Sequence, residues 1–251
     1  KAASPPMNVP QIPRICMCMP GFSVCQMVCP GMGMTGAGSR AGRHNADMKA
    51  LRDDAAADLL AVAARLVVED GLEYGPAKQR AARQLGLGAR TALPDNLALE
   101  EAVREHIAIF CPEEQARALQ ALREVALKWM ERVADFRPMV GGAVWHGTAT
   151  EHSDIYLQLF CDDPKAAEWR LLDRRVDYHP GTVTGWRGEP VDALTVRDRH
   201  PDLVHPVLLH LMIHDRDDDR GALRPDALGR APRGDAAALR ARMAAPAGAS
   251  S

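Results

Sequence analysis

The residues whose types and spacing could support chemistry lie in one stretch, VGGAVWHGTATEHSDIYLQLFCDD, at positions 140–163. It contains a Gly-Thr turn, Gly147 and Thr148, followed by Ser153 and Asp154 at the start of an alternating apolar segment. In two-metal phosphoryl and nucleotidyl transfer, a pair of Mg²⁺ ions is held by two carboxylates two residues apart on one strand face. A Gly-Ser or Gly-Thr turn upstream lets the backbone approach the phosphates. The stretch therefore predicts a phosphate and Mg²⁺ site, with Asp154 as its first carboxylate.

A tyrosine stands at the second carboxylate position of this pattern. Because side chains alternate along a strand, Asp154 and Tyr156 lie on the same face, opposite the apolar side chains between them. A phenol with an ordinary pKa of about 10 is neutral at physiological pH and is a poor ligand for a hard cation. Asp177 and Asp192 are the candidates for a further carboxylate, and the sequence does not choose between them.

The segments His-Gly-Thr at 146–148 and Ser-Asp-Ile-Tyr-Leu at 153–157 resemble the signature of the DNA polymerase beta-like nucleotidyltransferase superfamily, from which Tyr156 diverges. The resemblance covers about residues 140–213, and the chain is similar to a group of uncharacterised proteobacterial proteins with the same helical N-terminus. It implies nucleotide-binding residues, a metal ligand and catalytic carboxylates. These are Gly147, Thr148 and Ser153 for the nucleotide, Asp154 for Mg²⁺, and Asp154, Asp177 and Asp192 for catalysis.

Hydrophobic periodicity predicts an α+β fold in which a helical N-terminal subdomain packs on a mixed sheet of about five strands. The predicted helices are 53–70, 76–86, 96–110, 112–134, a helix from Pro164, and a short one near 235–243. The predicted strands are 139–145, 154–161, 175–178, 191–196 and 207–213. The strands and the turn between the first two must position the chemical residues.

The predicted organisation is a leader at 1–47, a helical subdomain at 48–137, a nucleotidyltransferase-like core at 138–215 and an Arg- and Asp-rich tail at 216–251. The change in composition suggests Met48 as the natural start. The leader holds a cluster of cysteines with interleaved methionines, at positions 16, 18, 25 and 29. Thiolates and thioethers suit Cu(I) or Zn²⁺, but this spacing matches no established ligand set, so a non-native or disordered leader is favoured.

The overall charge of the chain does not indicate a strongly charged partner. The formal net charge is −2, which does not indicate nucleic acid or acidic lipid as a partner. No apolar run approaches the length of about 18 residues that a membrane span needs. The separate thiols of Cys111 and Cys161 suit a reducing compartment, so a cytoplasmic protein is expected, with its oligomeric state left open.

Histidines form a second constellation, with two near the Gly-Thr turn and three around the last strand: His146, His152, His205, His210 and His214. They could bind a transition metal if the two groups meet across the sheet. Their spacing matches no established metal-ligand motif. A polar face of the sheet is the favoured interpretation.

The leading functional hypothesis is a divergent nucleotidyltransferase-like protein that binds a nucleotide with Mg²⁺, with or without turnover. The alternative is a non-catalytic regulatory or interaction module on the same fold. An active enzyme needs a second carboxylate within reach of Asp154, whereas the module interpretation expects a packed Tyr156. A third hypothesis, an ATP-dependent cell-wall ligase of the UDP-N-acetylmuramate–alanine type, is disfavoured because the sequence has no Gly-x-x-x-x-Gly-Lys-Ser/Thr loop.

Overall fold

The computed structural model describes residues 40–88, 91–185, 188–226 and 228–245, with side chains from residue 54 onward except at position 220. The chain divides into two compact units, Lys1–His44 and Asn45–Ser251. Of the first unit, only the beginning of one helix is described. The predicted cysteine cluster and most of the predicted leader lie outside the described residues.

Helices occupy the N-terminal half of the described chain and then alternate with strands. The α-helices are α1 Arg40–Asp70, α2 Tyr74–Gln84, α3 Asn96–Phe110, α4 Pro112–Arg132, α5 Gly142–His146, α6 Pro164–Asp173, α7 Asp219–Ala222 and α8 Ala236–Ala244. The strands are β1 Met139–Gly141, β2 Ile155–Cys161, β3 Tyr178–Thr184, β4 Pro190–Asp198, β5 Val207–Asp215 and β6 Arg233–Gly234. Single 3-10 turns lie at Ala134–Phe136 and Arg216–Asp218.

The described strands form one mixed sheet of six strands in the order β3-β4-β5-β2-β1-β6. Strands β2 and β5 are parallel, with Ile155 opposite Leu209, and the other neighbours are antiparallel. The predicted α+β class and mixed sheet are therefore confirmed, with six strands in place of about five.

Several helices begin where the sequence places a cap. Asp95 accepts the amide of Ala98 at 2.7 Å at the start of α3, and Asp163 accepts the amide of Lys165 at 2.8 Å at the start of α6. These side chains satisfy amides that have no partner within the helix. Helix α1 is followed by Gly71, whose φ of +67° is the left-handed conformation that glycine adopts most readily.

Two hydrophobic cores lie within Asn45–Ser251. One joins α1, α2 and α3 through residues such as Leu59, Leu66 and Leu99. The other joins α4 to the sheet face that carries Leu157 and Leu211. The predicted alternation of β2 is confirmed, because Ile155, Leu157 and Leu159 enter this second core while Tyr156 belongs to the opposite face.

Two predicted strands differ from the structure. The strand predicted at 139–145 ends at Gly141, because Gly142 has a φ of +64° and opens helix α5. The strand predicted at 175–178 begins at Tyr178 instead and runs to Thr184. Arg175 is left-handed (φ +52°) in the turn after α6, and β3 is a mostly exposed edge strand with little apolar periodicity.

The segment 216–251, which reads as a tail in the sequence, contributes to the sheet and the core. Strand β6 pairs with β1 through Gly234 and Val140, and Leu239 of α8 is fully buried. The predicted helix near 235–243 is present as α8. None of the helices in the described part of the chain has both the length and the apolar character needed to cross a bilayer.

Candidate functional site

A cleft of about 270 Å³ lies where the end of α1 and the start of α2 face the α5–β2 segment. Three of the predicted site residues line it: Thr148, Ser153 and Asp154. The opposite wall comes from the helical region and includes Glu73 and Tyr74. The cleft therefore brings together parts of the chain that are far apart in sequence.

The Gly147 turn faces helix α4. Gly147 has a φ of +85°, and a Cβ there would lie 3.7 Å from Nη2 of Arg123 and 4.0 Å from Cδ2 of Leu119, both on α4. Gly147 does not line the cleft, whereas Thr148 does. The sequence paired these two neighbours as one phosphate-binding turn, but in the structure only Thr148 faces the cleft, whereas Gly147 faces α4.

Side chains from α3, α4 and α8 hold the backbone carbonyls at the end of α5. Arg104 donates to the His146 carbonyl at 2.7 Å, and Gln115 donates to the Gly147 and Ala149 carbonyls at 3.0 and 2.9 Å. These carbonyls have no partner within the short helix, so the side chains supply the missing hydrogen bonds. Arg123 and Arg242 make similar but longer contacts. The segment that carries Thr148 is therefore rigidly placed.

Thr148 presents a buried hydroxyl to the cleft. The residue is 2% exposed, and its Oγ1 makes no hydrogen bond of normal geometry within the described residues. Burial raises the pKa of Tyr74, and a hydrogen bond with the Thr148 hydroxyl opposes that rise, so the two hydroxyls lie within reach of each other although their contact falls outside normal hydrogen-bond geometry. A buried polar group without a full hydrogen bond is costly, which suggests that a ligand atom completes this position.

Ser153 and Asp154 lie at the start of β2. The Ser153 hydroxyl accepts the Thr150 amide at 2.9 Å and thereby tightens the turn. Oδ2 of Asp154 lies 3.3 Å from Nε2 of His210, whose Nδ1 lies 2.9 Å from the Thr195 hydroxyl. Strand pairing places Tyr156, His210 and Thr195 in one row across the sheet, because His210 is directly opposite Tyr156 on one side and Thr195 on the other.

Tyr156 is held from three sides. Its ring stacks on His210 with centroids 4.9 Å apart, and a Cβ on Gly142 would lie 4.0 Å from its Cδ2. Its hydroxyl donates to Oε1 of Glu73 at 2.9 Å. Burial, the hydrogen bond to Glu73 and the charges of Glu73 and Asp154 all raise the pKa of Tyr156, so the phenol stays protonated at physiological pH.

The two proposed partners of Asp154 lie elsewhere. Asp177 is exposed and precedes β3, which is separated from β2 by two strands, a distance of about 14 Å at the usual strand spacing. Asp192 is exposed on β4 and shares a depression with Pro164 and Lys165 of α6, on the sheet face opposite Tyr156. Glu73, which the sequence did not indicate, is the carboxylate that the fold brings beside this row.

Glu100 forms the charged part of the cleft wall. It is 8% exposed. Its carboxylate accepts a hydrogen bond from Arg104 at 2.7 Å and two from Arg230 at 3.0 and 3.3 Å. Burial alone would raise the pKa of Glu100, but the hydrogen bonds from Arg230 and Arg104 outweigh burial and lower it. Nearby, burial lowers the pKa of His146 against the attraction of Glu100, which favours a neutral imidazole.

Glu100 should make folding stability sensitive to acid. Because its pKa is lower in the folded chain, the unfolded chain binds more protons near and below the ordinary glutamate value of about 4.3. Its stabilising contribution is therefore complete above that value and is lost as the pH falls through the lower folded value. Urea unfolding from pH 7 to pH 3 should show a shallower acid loss for Glu100→Gln than for wild type. Glu101→Gln, at an exposed site on the same helix, is the control, and an unchanged acid loss in Glu100→Gln would contradict the expectation.

One pair of histidines from the two predicted groups, His152 and His205, comes together in the structure. The rings of His152 and His205 are 6.3 Å apart, while His210 lies against Tyr156 and Asp154. Within the described ranges, no group of three or more His, Cys, Asp or Glu side chains is arranged to hold a metal ion. His214 is buried on the same sheet face as His210, so this face is partly covered by the chain that follows β5.

No family model matches the chain, and comparisons with curated proteins and with solved structures give no match either. A functional assignment therefore rests on the cleft itself. Sequence reasoning missed its helical wall, because Glu73 and Tyr156 are 83 positions apart and no local pattern links them.

Proposed function

We propose that the cleft binds a nucleotide together with Mg²⁺, and that the protein holds this ligand without transferring a nucleotidyl group. The observation that carries the proposal is the convergence of Thr148, Ser153 and Asp154 on one cleft. These residues come from the segments whose sequence resembles the nucleotidyltransferase signature. A concave, largely apolar site with a few converging polar groups is the usual form of a small-molecule site.

The dimensions favour a ligand of nucleoside size within the cleft. Its volume of about 270 Å³ is near the lower end of small-molecule sites. Thr148 lies at the buried end, whereas the Asp154 side chain is 37% exposed. We place the base and sugar toward Thr148 and Tyr74, and the phosphates with their cation toward Asp154.

Tyr156 is the reason for proposing binding without turnover. Nucleotidyl transfer by two metals needs a second strand carboxylate beside Asp154, and a protonated phenol is a weak ligand for Mg²⁺. Tyr156 is instead fixed by His210 and Glu73. Asp177 and Asp192, the further carboxylates that the sequence offered, do not line the cleft and are not proposed as ligands in it.

Replacing Asp154 by Ala should abolish Mg²⁺-dependent nucleotide binding and leave the fold intact. Thermal-shift measurements with each nucleoside triphosphate, with and without Mg²⁺, should reveal a stabilising ligand for wild type. At a ligand concentration 100 times the Kd, binding stabilises the native state by about 2.7 kcal/mol, and this gain should disappear in Asp154→Ala. Asp192→Ala is the matched control and should keep it. Unchanged nucleotide binding in Asp154→Ala would remove the hypothesis.

A non-catalytic interaction module remains the second candidate, and the packing of Tyr156 favours it. The Glu73–Tyr156 hydrogen bond ties the α1–α2 turn to the sheet without any ligand. Failure of every nucleoside triphosphate to stabilise wild-type protein would favour this function over nucleotide binding.

A further inference from the structure

Two carboxylates line the cleft near Tyr156, Glu73 on the helical wall and Asp154 on the strand wall. Glu73 precedes α2, where its side chain does not cap the helix and reaches the Tyr156 hydroxyl through Oε1. Asp154 is two residues before Tyr156 on the same strand face and contacts His210 through Oδ2. Oε2 of Glu73 and Oδ1 of Asp154 make no hydrogen bond or ion pair within the described part of the chain.

Neither charge is balanced by a permanently charged basic side chain among the described residues, although Asp154 contacts the imidazole of His210. Among the described residues, neither Glu73 nor Asp154 forms an ion pair with a lysine or arginine, whereas Glu100 in the same cleft has two arginines. Like charges that face one cleft repel each other unless a cation lies between them. The arrangement therefore favours a positively charged ligand at the exposed end.

Thr148 gives independent evidence that the cleft takes a ligand. Its hydroxyl lines the same cleft, is almost completely buried and has no hydrogen bond of normal geometry within the described residues. The Tyr74 hydroxyl is within reach of Thr148, but their contact is not of normal geometry, so a ligand that enters the cleft would supply the better partner. The two carboxylates thus lie at the mouth of a site with an unfilled position at its inner end.

We propose that Glu73 is the second carboxylate of a divalent-cation site, and that the cation bridges Glu73 and Asp154 across the cleft. Mg²⁺ is commonly bound through one or two carboxylates, with water and substrate phosphates filling the remaining positions. This inference shares its cleft with the proposed nucleotide site but names a ligand from the helical wall, not from the sheet. It makes cation binding depend on the apposition of the α1–α2 turn with β2.

Electron paramagnetic resonance of Mn²⁺ added to the full chain without nucleotide tests the proposal. Mn²⁺ shares the preference of Mg²⁺ for carboxylate and water oxygens, and its free-ion signal falls when it binds. We expect wild type to bind one Mn²⁺, and Glu73→Gln and Asp154→Asn each to weaken binding by about tenfold or more. Binding that is unchanged in Glu73→Gln, or absent in wild type, overturns the proposal.

Two further variants separate this site from general surface charge and from the phenol. Glu101→Gln removes an exposed carboxylate from α3 and should leave Mn²⁺ affinity unchanged. Tyr156→Phe keeps both carboxylates and should also retain Mn²⁺ binding; loss of binding there, with retention in Glu73→Gln, would assign the ion to the phenol and overturn the bridge. Thermal midpoints of all variants establish that they are folded.

Failure of the cation site and failure of the proposed nucleotide binding would give different results. Nucleotide binding that needs no divalent cation, together with no Mn²⁺ binding, would remove the bridge and leave a nucleotide site. Mn²⁺ binding that depends on Glu73, without stabilisation by any nucleotide, would support the bridge and remove the nucleotide proposal.

Discussion

Gly234→Ala should lower the free energy of unfolding by about 3 kcal/mol, the upper end for an overpacked core position. A Cβ at Gly234 would lie 2.9 Å from Cζ2 of Trp145, and closer still to Cη2 and Cζ3. The indole cannot move aside easily, because its Nε1 donates to the Ala231 carbonyl at 2.7 Å and Arg242 lies 3.9 Å over its ring. Urea unfolding followed by circular dichroism measures the loss.

Gly141→Ala is the matched control for this substitution. Gly141 lies on β1 opposite Arg233 of β6, and its nearest contact for a new Cβ is 3.6 Å, an ordinary van der Waals distance. Its backbone is extended, so alanine fits without strain. We expect a change within about 1 kcal/mol, and equal effects of the two substitutions would mean that contact with Trp145 is not the cause.

The local pattern of β2 was sufficient to predict which of its residues face away from the core. Alternation of apolar residues put Ile155 and Leu157 in the core and Asp154 and Tyr156 on the opposite face, as observed. Thr148 and Asp154 reach one cleft because a short turn joins them, so sequence proximity keeps them close. Helices α3 and α6 likewise begin where they were predicted, with Asp95 and Asp163 as their caps, whereas α1 begins at Arg40, ahead of the predicted residue 53.

Long-range packing determined what the sequence did not reveal. Glu73, Tyr74 and Glu100 enter the cleft only because the helical core places the α1–α2 turn and α3 against the α5–β2 segment. The bounds of strand β3 were predicted wrongly, at 175–178, because an exposed edge strand has little apolar periodicity. Strand β6 has two residues, too few to give a periodic signal.

The same packing explains why the candidate acids could not be ranked from the sequence. Asp177 and Asp192 both follow the motif at plausible spacing, yet the sheet order places two strands, β4 and β5, between β3 and β2. Face alternation along β4 turns Asp192 toward α6, away from Tyr156. Strand order and face are tertiary properties, and a single sequence contains no direct measure of either.

Gly71→Ala should cost about 3 kcal/mol and should also weaken ligand binding in the cleft. Part of the cost, about 1–2 kcal/mol, comes from the left-handed φ of +67°, which an L side chain adopts poorly. The rest comes from a steric clash, because the new Cβ would lie 2.6 Å from Cβ of His152 and 3.3 Å from its carbonyl oxygen. Relief of this clash should separate the α1–α2 turn, which carries Glu73, from the turn before β2.

Gly86→Ala isolates the steric part of this effect. Gly86 has nearly the same φ, +66°, but no atom lies within 4 Å of a new Cβ. It should therefore show only the backbone cost, about 1–2 kcal/mol, and leave Mn²⁺ and nucleotide binding unchanged. A double variant that combines Gly71→Ala with His152→Gly removes the clashing Cβ and should recover part of the loss, measured as a coupling free energy by urea unfolding. Additive effects in that cycle would show that the α1–α2 turn is not seated on His152, and the cleft would then lack the fixed wall that Glu73 requires.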